Sequence, residues 1–229
     1  MKISVVIPVG PGHALAVNRA IKSCIEQTHP AHEIIVAGFS DDVESQNVIK
    51  IKNEGSAGKN RQIGSEAASG DIIVYQDADD ISHPQRLEII SRYFNIADIL
   101  HLNHSLVTSS NETSHIEVNS IRHASSEELF GAYFPNSKYV SCIKHCPSAY
   151  GDKIVNWPVH CGAPAIRRCV LDKVKWRSVS ELKLHHRAWP RTEDYEFCME
   201  VLYAFNKSMI IDAPVYIYNE LGTSQMIRD

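Results

Sequence analysis

Short runs of Val and Ile alternate with helix-like segments through the first hundred residues of this 229-residue chain, and that alternation restricts the fold more than any other feature. Strand-length apolar runs separated by amphipathic segments build a parallel sheet with crossover helices, because parallel neighbours cannot be joined by a tight turn. Residues 3–9 read as the first strand and 13–27 as a helix, with Leu15, Ala16, Ala20, Ile21, Cys24 and Ile25 near one face. Residues 33–37 give a second strand, 47–51 a short third, and 57–69 a helix stopped by Gly70. A strand from Asp71, a helix at 84–93 and a strand at 98–102 complete this half. Residues 104–160 are rich in Ser, Asn and His and show no assignable period. Order returns at 162–168, in a helix at 193–206, and in strand-like runs at 208–212 and 214–218.

The strand from Asp71 runs directly into three carboxylates, Gln76-Asp77-Ala78-Asp79-Asp80. Like charges repel, and burying them is costly, so acids gathered at the end of an apolar strand call for a cation. On strand geometry Asp77 and Asp79 share one face and Asp80 takes the other. Two hard oxygen donors suit Mg2+ or Mn2+, which complete their shells with water and substrate phosphates. The plainer alternative is that Asp79 or Asp80 caps the next helix, with Ser82 or His83 preceding Pro84 in its first turn.

Ligands of open α/β sheets bind beyond the carboxyl ends of the strands, here Pro8-Val9-Gly10, Gly38-Phe39-Ser40 and Gln76-Asp77-Ala78-Asp79. Neither a P-loop nor a G-x-G-x-x-G fingerprint follows the first strand, which leaves phosphate handling to a metal.

A 44% hydrophobic content supports a full core. A net charge of −4 and an isoelectric point near 6.3 offer nucleic acid no attraction, so the expected partner is small. The opening run ends at Pro8, short of a signal peptide's apolar core, and no run approaches the roughly 20 apolar residues of a membrane span. The chain therefore reads as cytoplasmic, with its six cysteines reduced. Cys142-x-x-His145-Cys146 and His160-Cys161 raise the question of zinc, but the tight pairs of a structural site are not cleanly formed.

Several stretches together resemble the inverting glycosyltransferases of family 2, which have the GT-A fold. They are Ser4-Val5-Val6-Ile7-Pro8-Val9, Glu33-Ile34-Ile35-Val36, Gly58-Lys59-Asn60-Arg61-Gln62-Ile63-Gly64, Ala68-Ser69-Gly70-Asp71-Ile72-Ile73, the acid segment, and Thr192-Glu193-Asp194-Tyr195-Glu196-Phe197. The resemblance implies a single GT-A domain over 1–229, with a mostly parallel central sheet flanked by helices. Residues 1–103 would be its nucleotide-sugar half and 104–229 an irregular acceptor half. It also implies transfer of a sugar, with inversion, from a nucleoside diphosphate donor, a UDP-sugar being favoured, to a hydroxyl of a carbohydrate or other acceptor.

By the family pattern Asp79 is the Mn2+ or Mg2+ ligand, and Asp77 faces the ribose and shares the ion. Pro8, Val9, Phe39, Lys59, Arg61 and Ala78 line the nucleotide, Asp80 lies near the donor sugar, and Asp194, beside Glu193, is the base. Inversion in one displacement requires such a base opposite the leaving group. Acids in a first helical turn behind a Thr192 N-cap would equally complement the helix dipole. Trp157 and Gly162 are candidates for the acceptor side, since sugars pack on aromatic faces and glycine permits close approach.

The chain departs from the family pattern after the second strand, where Ala37-Gly38-Phe39-Ser40 replaces acids that read the base. It departs again at Gly10-Pro11-Gly12, at Gln62, and at 218–224, where Glu220 stands in place of a late histidine. A nucleotidyltransferase and a catalytically silent nucleotide-sugar-binding module remain the alternatives.

Overall fold

The first strand, β1 (Ile3–Val9), is buried at every position, as expected of a strand covered on both faces of a parallel sheet. The computed structural model describes residues 1–106, 115–124, 162–182 and 193–218. The zinc-like cysteines and histidines, Trp157, Thr192 and Glu220 lie outside them.

After β1 come α1 (Ala14–Ile25), β2 (Glu33–Gly38), β3 (Ile49–Lys52), α2 (Ala57–Ala67) and β4 (Ile72–Tyr75). A two-residue β5 (Ile81–Ser82), α3 (Arg86–Tyr93), β6 (Ile99–Leu106) and β7 (Ser120–His123) follow. Then come β8 (Ala165–Arg167), α4 (Glu193–Ala204) and β9 (Ser208–Tyr218). These strands form one sheet in the order β3-β2-β1-β4-β8-β6-β9-β5, with β7 also on β9. Strands β1, β2, β3, β4, β6 and β9 run one way, while β5, β7 and β8 run against them. The expected mostly parallel sheet is therefore present.

Strand alternation divides the core between the two sheet faces. Ile3, Val5, Ile7 and Val9 join Val17 and Ile21 of α1 and Leu87 and Ile90 of α3 on one face. Val6, Ile73 and Tyr75 meet Trp176 and Phe197 on the other. There α2 approaches β1 so closely that a Cβ on Gly64 would stand 2.6 Å from Val6 Cγ1. Each fully buried aliphatic side chain contributes about 1.5–3 kcal/mol, so these layers fix the strand ends.

Two expectations are corrected. The runs 208–212 and 214–218 are one strand, β9, in which the four residues Asp212–Val215 stand opposite Asn103 of β6. Pro214 cannot donate to a ladder, and a bulge accommodates it within the strand. The helix after the acids starts at Arg86 with Gln85 as N-cap, not at 84, because Ile81–Ser82 first pairs with Tyr216 and Ile217 of β9. Neither Asp79 nor Asp80 caps it, and no side chain makes a cap hydrogen bond.

Candidate active site

The first half of the sheet, β3-β2-β1-β4, reverses its winding between β1 and β4, and the crevice at that switch point is where such folds bind ligands. Its walls are the loop leaving β1, Gly10-Pro11-Gly12-His13, and the acid turn leaving β4.

The acid segment is not strand. β4 ends at Tyr75, Gln76 N donates to Val6 O at 3.0 Å, and Asp80 N closes a turn on Asp77 O at 3.3 Å. Three carboxylates consequently take three directions, and the alternation rule fails because its pleat stops first. Asp77 accepts a 2.6 Å hydrogen bond from Arg61 Nη2. Asp79 faces His13, with Oδ2 3.9 Å from Nε2. Asp80 is 1% exposed and accepts the Tyr216 hydroxyl at 2.7 Å. The Asp80 carboxylate points under the turn, where it holds β9.

Tyr216 also accepts Asp77 N–H at 3.1 Å. Burial, then the charges of Asp77 and Asp80, push its phenol well above the usual range, so it stays a proton donor. Arg86, fully buried, completes the base of the turn. It donates to Gln76 Oε1 (2.6 Å), Ser82 Oγ (2.9 Å), Tyr75 O (2.7 Å) and Ala163 O (3.0 Å), and lies 4.7 Å above the Tyr216 ring. Gly162 is buried beside this contact.

Arg61 joins the acid turn to the second acid pair. While Nη2 holds Asp77, Nη1 reaches Glu193 Oε1 at 3.5 Å, 132 residues away. The guanidinium is only 4% exposed and lies 4.9 Å from the Trp176 ring centre, which stacks on Phe197 at 3.9 Å. Burial alone would lower its pKa, but Asp77, Glu193 and Asp194 reverse the shift and keep it charged. Arg61 lies beneath the acid turn as a bridge between the Asp77 and Glu193 carboxylates. Glu193 is 9% exposed and opens α4, with Asp194 half-buried at the next position.

The remaining edge residues are shaped by backbone. Val9 is fully buried, Pro8 is buried, and Val9 O accepts both Phe39 N and Asn60 Nδ2 at 3.1 Å. Gly38 makes this possible: its φ of 126° and its contact with Val9 O exclude a Cβ. Phe39 is thereby left 36% exposed at the edge. Ala78 is buried in the turn, and Lys59 is exposed in the first turn of α2.

Asp79 and Asp77 are the groups that could hold an ion. Burial first, and then the charge of Asp77, raise the Asp79 carboxyl above its ordinary range in spite of His13 and Arg61, so negative charge here is undercompensated. Among the described residues no group of three or more His, Cys, Asp or Glu side chains is gathered to hold a metal. An ion here would draw further ligands from phosphate and water, as Mg2+ and Mn2+ do. Sequence reasoning missed the structural roles of Tyr216, Arg86 and His13. Only His13 carried a visible signal, standing four residues past the first strand on the ligand-binding edge.

Residues 4–115 match the family model for glycosyl transferase family 2. The match covers just under half of the chain, and over that stretch the chain is similar to the glycosyltransferases of family 2. An uncharacterized glycosyltransferase of Nostoc sp. is 33% identical over 120 residues, 46% of this chain and 37% of the relative. One from Rickettsia conorii is 28% identical over 160 residues, 65% of this chain and 24% of the relative. The chain thus spans well under half the length of these curated relatives. Among solved structures, S. aureus TarS 1–349 aligns with a TM-score of 0.62 at 17% identity, covering 96% of this chain and 60% of that one. Glucosyl-3-phosphoglycerate synthase from Mycobacterium tuberculosis, solved with Mn2+, UDP and glucosyl-3-phosphoglycerate, aligns at 0.59 and 15% identity over 98% and 74%. The fold is accordingly of the GT-A type. No helix among the described residues is long and apolar enough to cross a membrane.

Proposed function

We propose that this chain is a family 2 glycosyltransferase that transfers a sugar, with inversion, from a UDP-sugar to an acceptor hydroxyl, assisted by a divalent ion at Asp79 and Asp77. The observation that carries the reading is Arg61, which ties Asp77 of the acid turn and Glu193 of α4 to one guanidinium. The acid turn that this reading gives the donor and the helix start that it gives the base are thereby held beside one another. TarS with UDP-GlcNAc and the mycobacterial synthase with Mn2+ and UDP share the fold, which supports both the donor class and the ion.

When bound, the ion would supply Lewis-acid stabilisation of the charge that develops on the leaving diphosphate. The protein's own groups do the rest. Asp194 takes the proton of the incoming hydroxyl, while Glu193, already committed to Arg61, positions that turn of α4. Phe39 offers an exposed ring at the edge where a base would lie. Asp80 and Tyr216 keep the acid turn in register.

The test is binding and turnover measured together. UDP with Mn2+ should raise the melting temperature, whereas GDP, CDP and dTDP should raise it less. Asp194→Asn should retain that shift and lose about 100-fold or more of the release of UDP from UDP-sugars, the scale of a missing general base. A fully active Asp194→Asn enzyme removes Asp194 from this role. Binding without turnover in the unaltered chain, across an acceptor panel, identifies a silent binding module instead.

A further inference from the structure

We propose that His13 supplies a nitrogen ligand to the divalent ion at Asp79 and makes the site favour Mn2+ over Mg2+. This rests on the reading of Asp79 as a metal ligand. His13 stands on the β1 side of the switch-point crevice and Asp79 on the β4 side, so the two side chains meet across the ligand cleft.

The loop is built around this ring. Gly12, at a φ of 85°, turns the chain as only glycine readily does, and His13 then accepts Ala16 N and Val17 N at 3.0 and 2.9 Å as N-cap of α1. Gly10 leaves room for the imidazole: a Cβ there would lie 3.2 Å from Nδ1 and 3.3 Å from Cε1. His13 Nδ1 is 3.1 Å from Gly10 O. A carbonyl oxygen can only accept, so Nδ1 carries the hydrogen, and in the neutral ring Nε2 presents a lone pair. A backbone carbonyl that fixes one ring nitrogen and aims the other is the usual support of a metal-bound histidine.

What Nε2 faces is another acceptor, Asp79 Oδ2 at 3.9 Å. The separation is too long for a hydrogen bond, and no hydrogen bond to the Asp79 carboxylate from another side chain is present among the described residues. An ion held between them would take the Nε2 lone pair from one side and an Asp79 oxygen from the other. An imidazole ligand suits transition metals, whereas Mg2+ prefers an all-oxygen shell. That chemistry gives the direction of the preference.

The experiment compares the unaltered chain with His13→Asn, which removes the imidazole and puts a residue favoured at N-caps at the start of α1, and with Asp79→Ala. Mn2+ affinity in the presence of UDP is titrated by the EPR signal of free Mn2+, UDP affinity is titrated in Mg2+, and electron spin-echo modulation of bound Mn2+ reports directly coordinated imidazole nitrogen. In His13→Asn the nitrogen modulation should disappear and Mn2+ affinity should fall about tenfold, with UDP affinity in Mg2+ changing less than about threefold. Retained modulation with an unchanged Mn2+ to Mg2+ ratio overturns the assignment of His13, while loss of Mn2+ binding in Asp79→Ala would leave the metal site itself standing. Absence of Mn2+ binding by the unaltered chain, or retention in Asp79→Ala, overturns the metal site and the His13 ligand with it. Gly10→Ala, which crowds the ring without removing it, should weaken Mn2+ binding in the same direction.

Discussion

Tyr216 and Asp80, 136 residues apart, share a buried 2.7 Å hydrogen bond, and it is this contact that fastens the last strand to the acid turn. The same hydroxyl accepts the amide of Asp77, so one oxygen sets both ends of the turn. Tyr216→Phe should therefore cost about 1–3 kcal/mol in urea unfolding, the scale of leaving a buried acceptor without its donor. Asp80→Asn should cost less in the Tyr216→Phe background than in the unaltered chain, because the two act as a unit. Simple additivity in that cycle would show that the contact does not hold the turn.

Arg61 faces two carboxylates that have little water around them, with side chains 21% (Asp77) and 10% (Glu193) exposed. Removing the cation takes a shared, buried partner from both acids, so Arg61→Ala is expected to destabilise by about 3 kcal/mol or more, well above the loss of an exposed ion pair. Arg61→Lys should recover only part of this, since an ammonium on a flexible stem cannot fork to Asp77 and Glu193 or stack on Trp176. Urea midpoints of the three proteins give the order. Equal midpoints would mean the bridge is not structural.

The N-terminal fold was legible because local pattern and tertiary burial agree there: β1 covers residues 3–9 as read, and β2, α2 and β4 shift by a residue or two at their ends. Where they disagree, the sequence misled. Asp77, Asp79 and Asp80 looked like strand positions, but the ladder to β1 ends at Tyr75, and the turn that follows is set by Tyr216 and Arg86 from distant segments. Period-two reasoning has no access to such long-range hydrogen bonds. The runs 208–212 and 214–218 read as two strands, whereas a bulge opposite β6 carries them as one, with Pro214 inside it. Arg61 was expected at the site from its surrounding motif. Its burial under the site was not, because that depends on Trp176 and Phe197 closing over it.

Gly58, in the first turn of α2, lies against the carbonyl of Arg177, and a Cβ there would collide with that oxygen and approach Glu193 Cγ to 3.1 Å. Two effects of Gly58→Ala oppose each other. Alanine gains about 1 kcal/mol of helix propensity over glycine, but a backbone oxygen cannot swing aside as a side chain can, and overpacking of this kind costs about 1–3 kcal/mol. The clash should prevail, lowering the melting temperature and loosening the Arg61–Glu193 contact next to it. A raised melting temperature would show that the 177 segment yields easily.

Glu33 gives the chain a predictable acid limb. Its Oε1 accepts Ser4 Oγ at 2.6 Å, Ser69 N at 2.7 Å and Ser69 Oγ at 2.9 Å, joining the start of β2 to β1 and to the turn before β4. Burial pulls its pKa upward, but these hydrogen bonds outweigh it, and the carboxyl titrates below its ordinary range. A carboxylate with a depressed folded pKa contributes stability that is present above the unfolded value, about 4.3, and is lost as pH falls through the folded one. Glu33→Gln should therefore be less stable than the unaltered chain at pH 7, by no more than about 1 kcal/mol for so accessible a site. The gap should close below about pH 4.3 as the native carboxylate takes up its proton. Urea midpoints measured from pH 7 down to pH 3 would show the two curves converging on the acid side; a gap that held constant with pH would mean the hydrogen bonds do not depend on the charge.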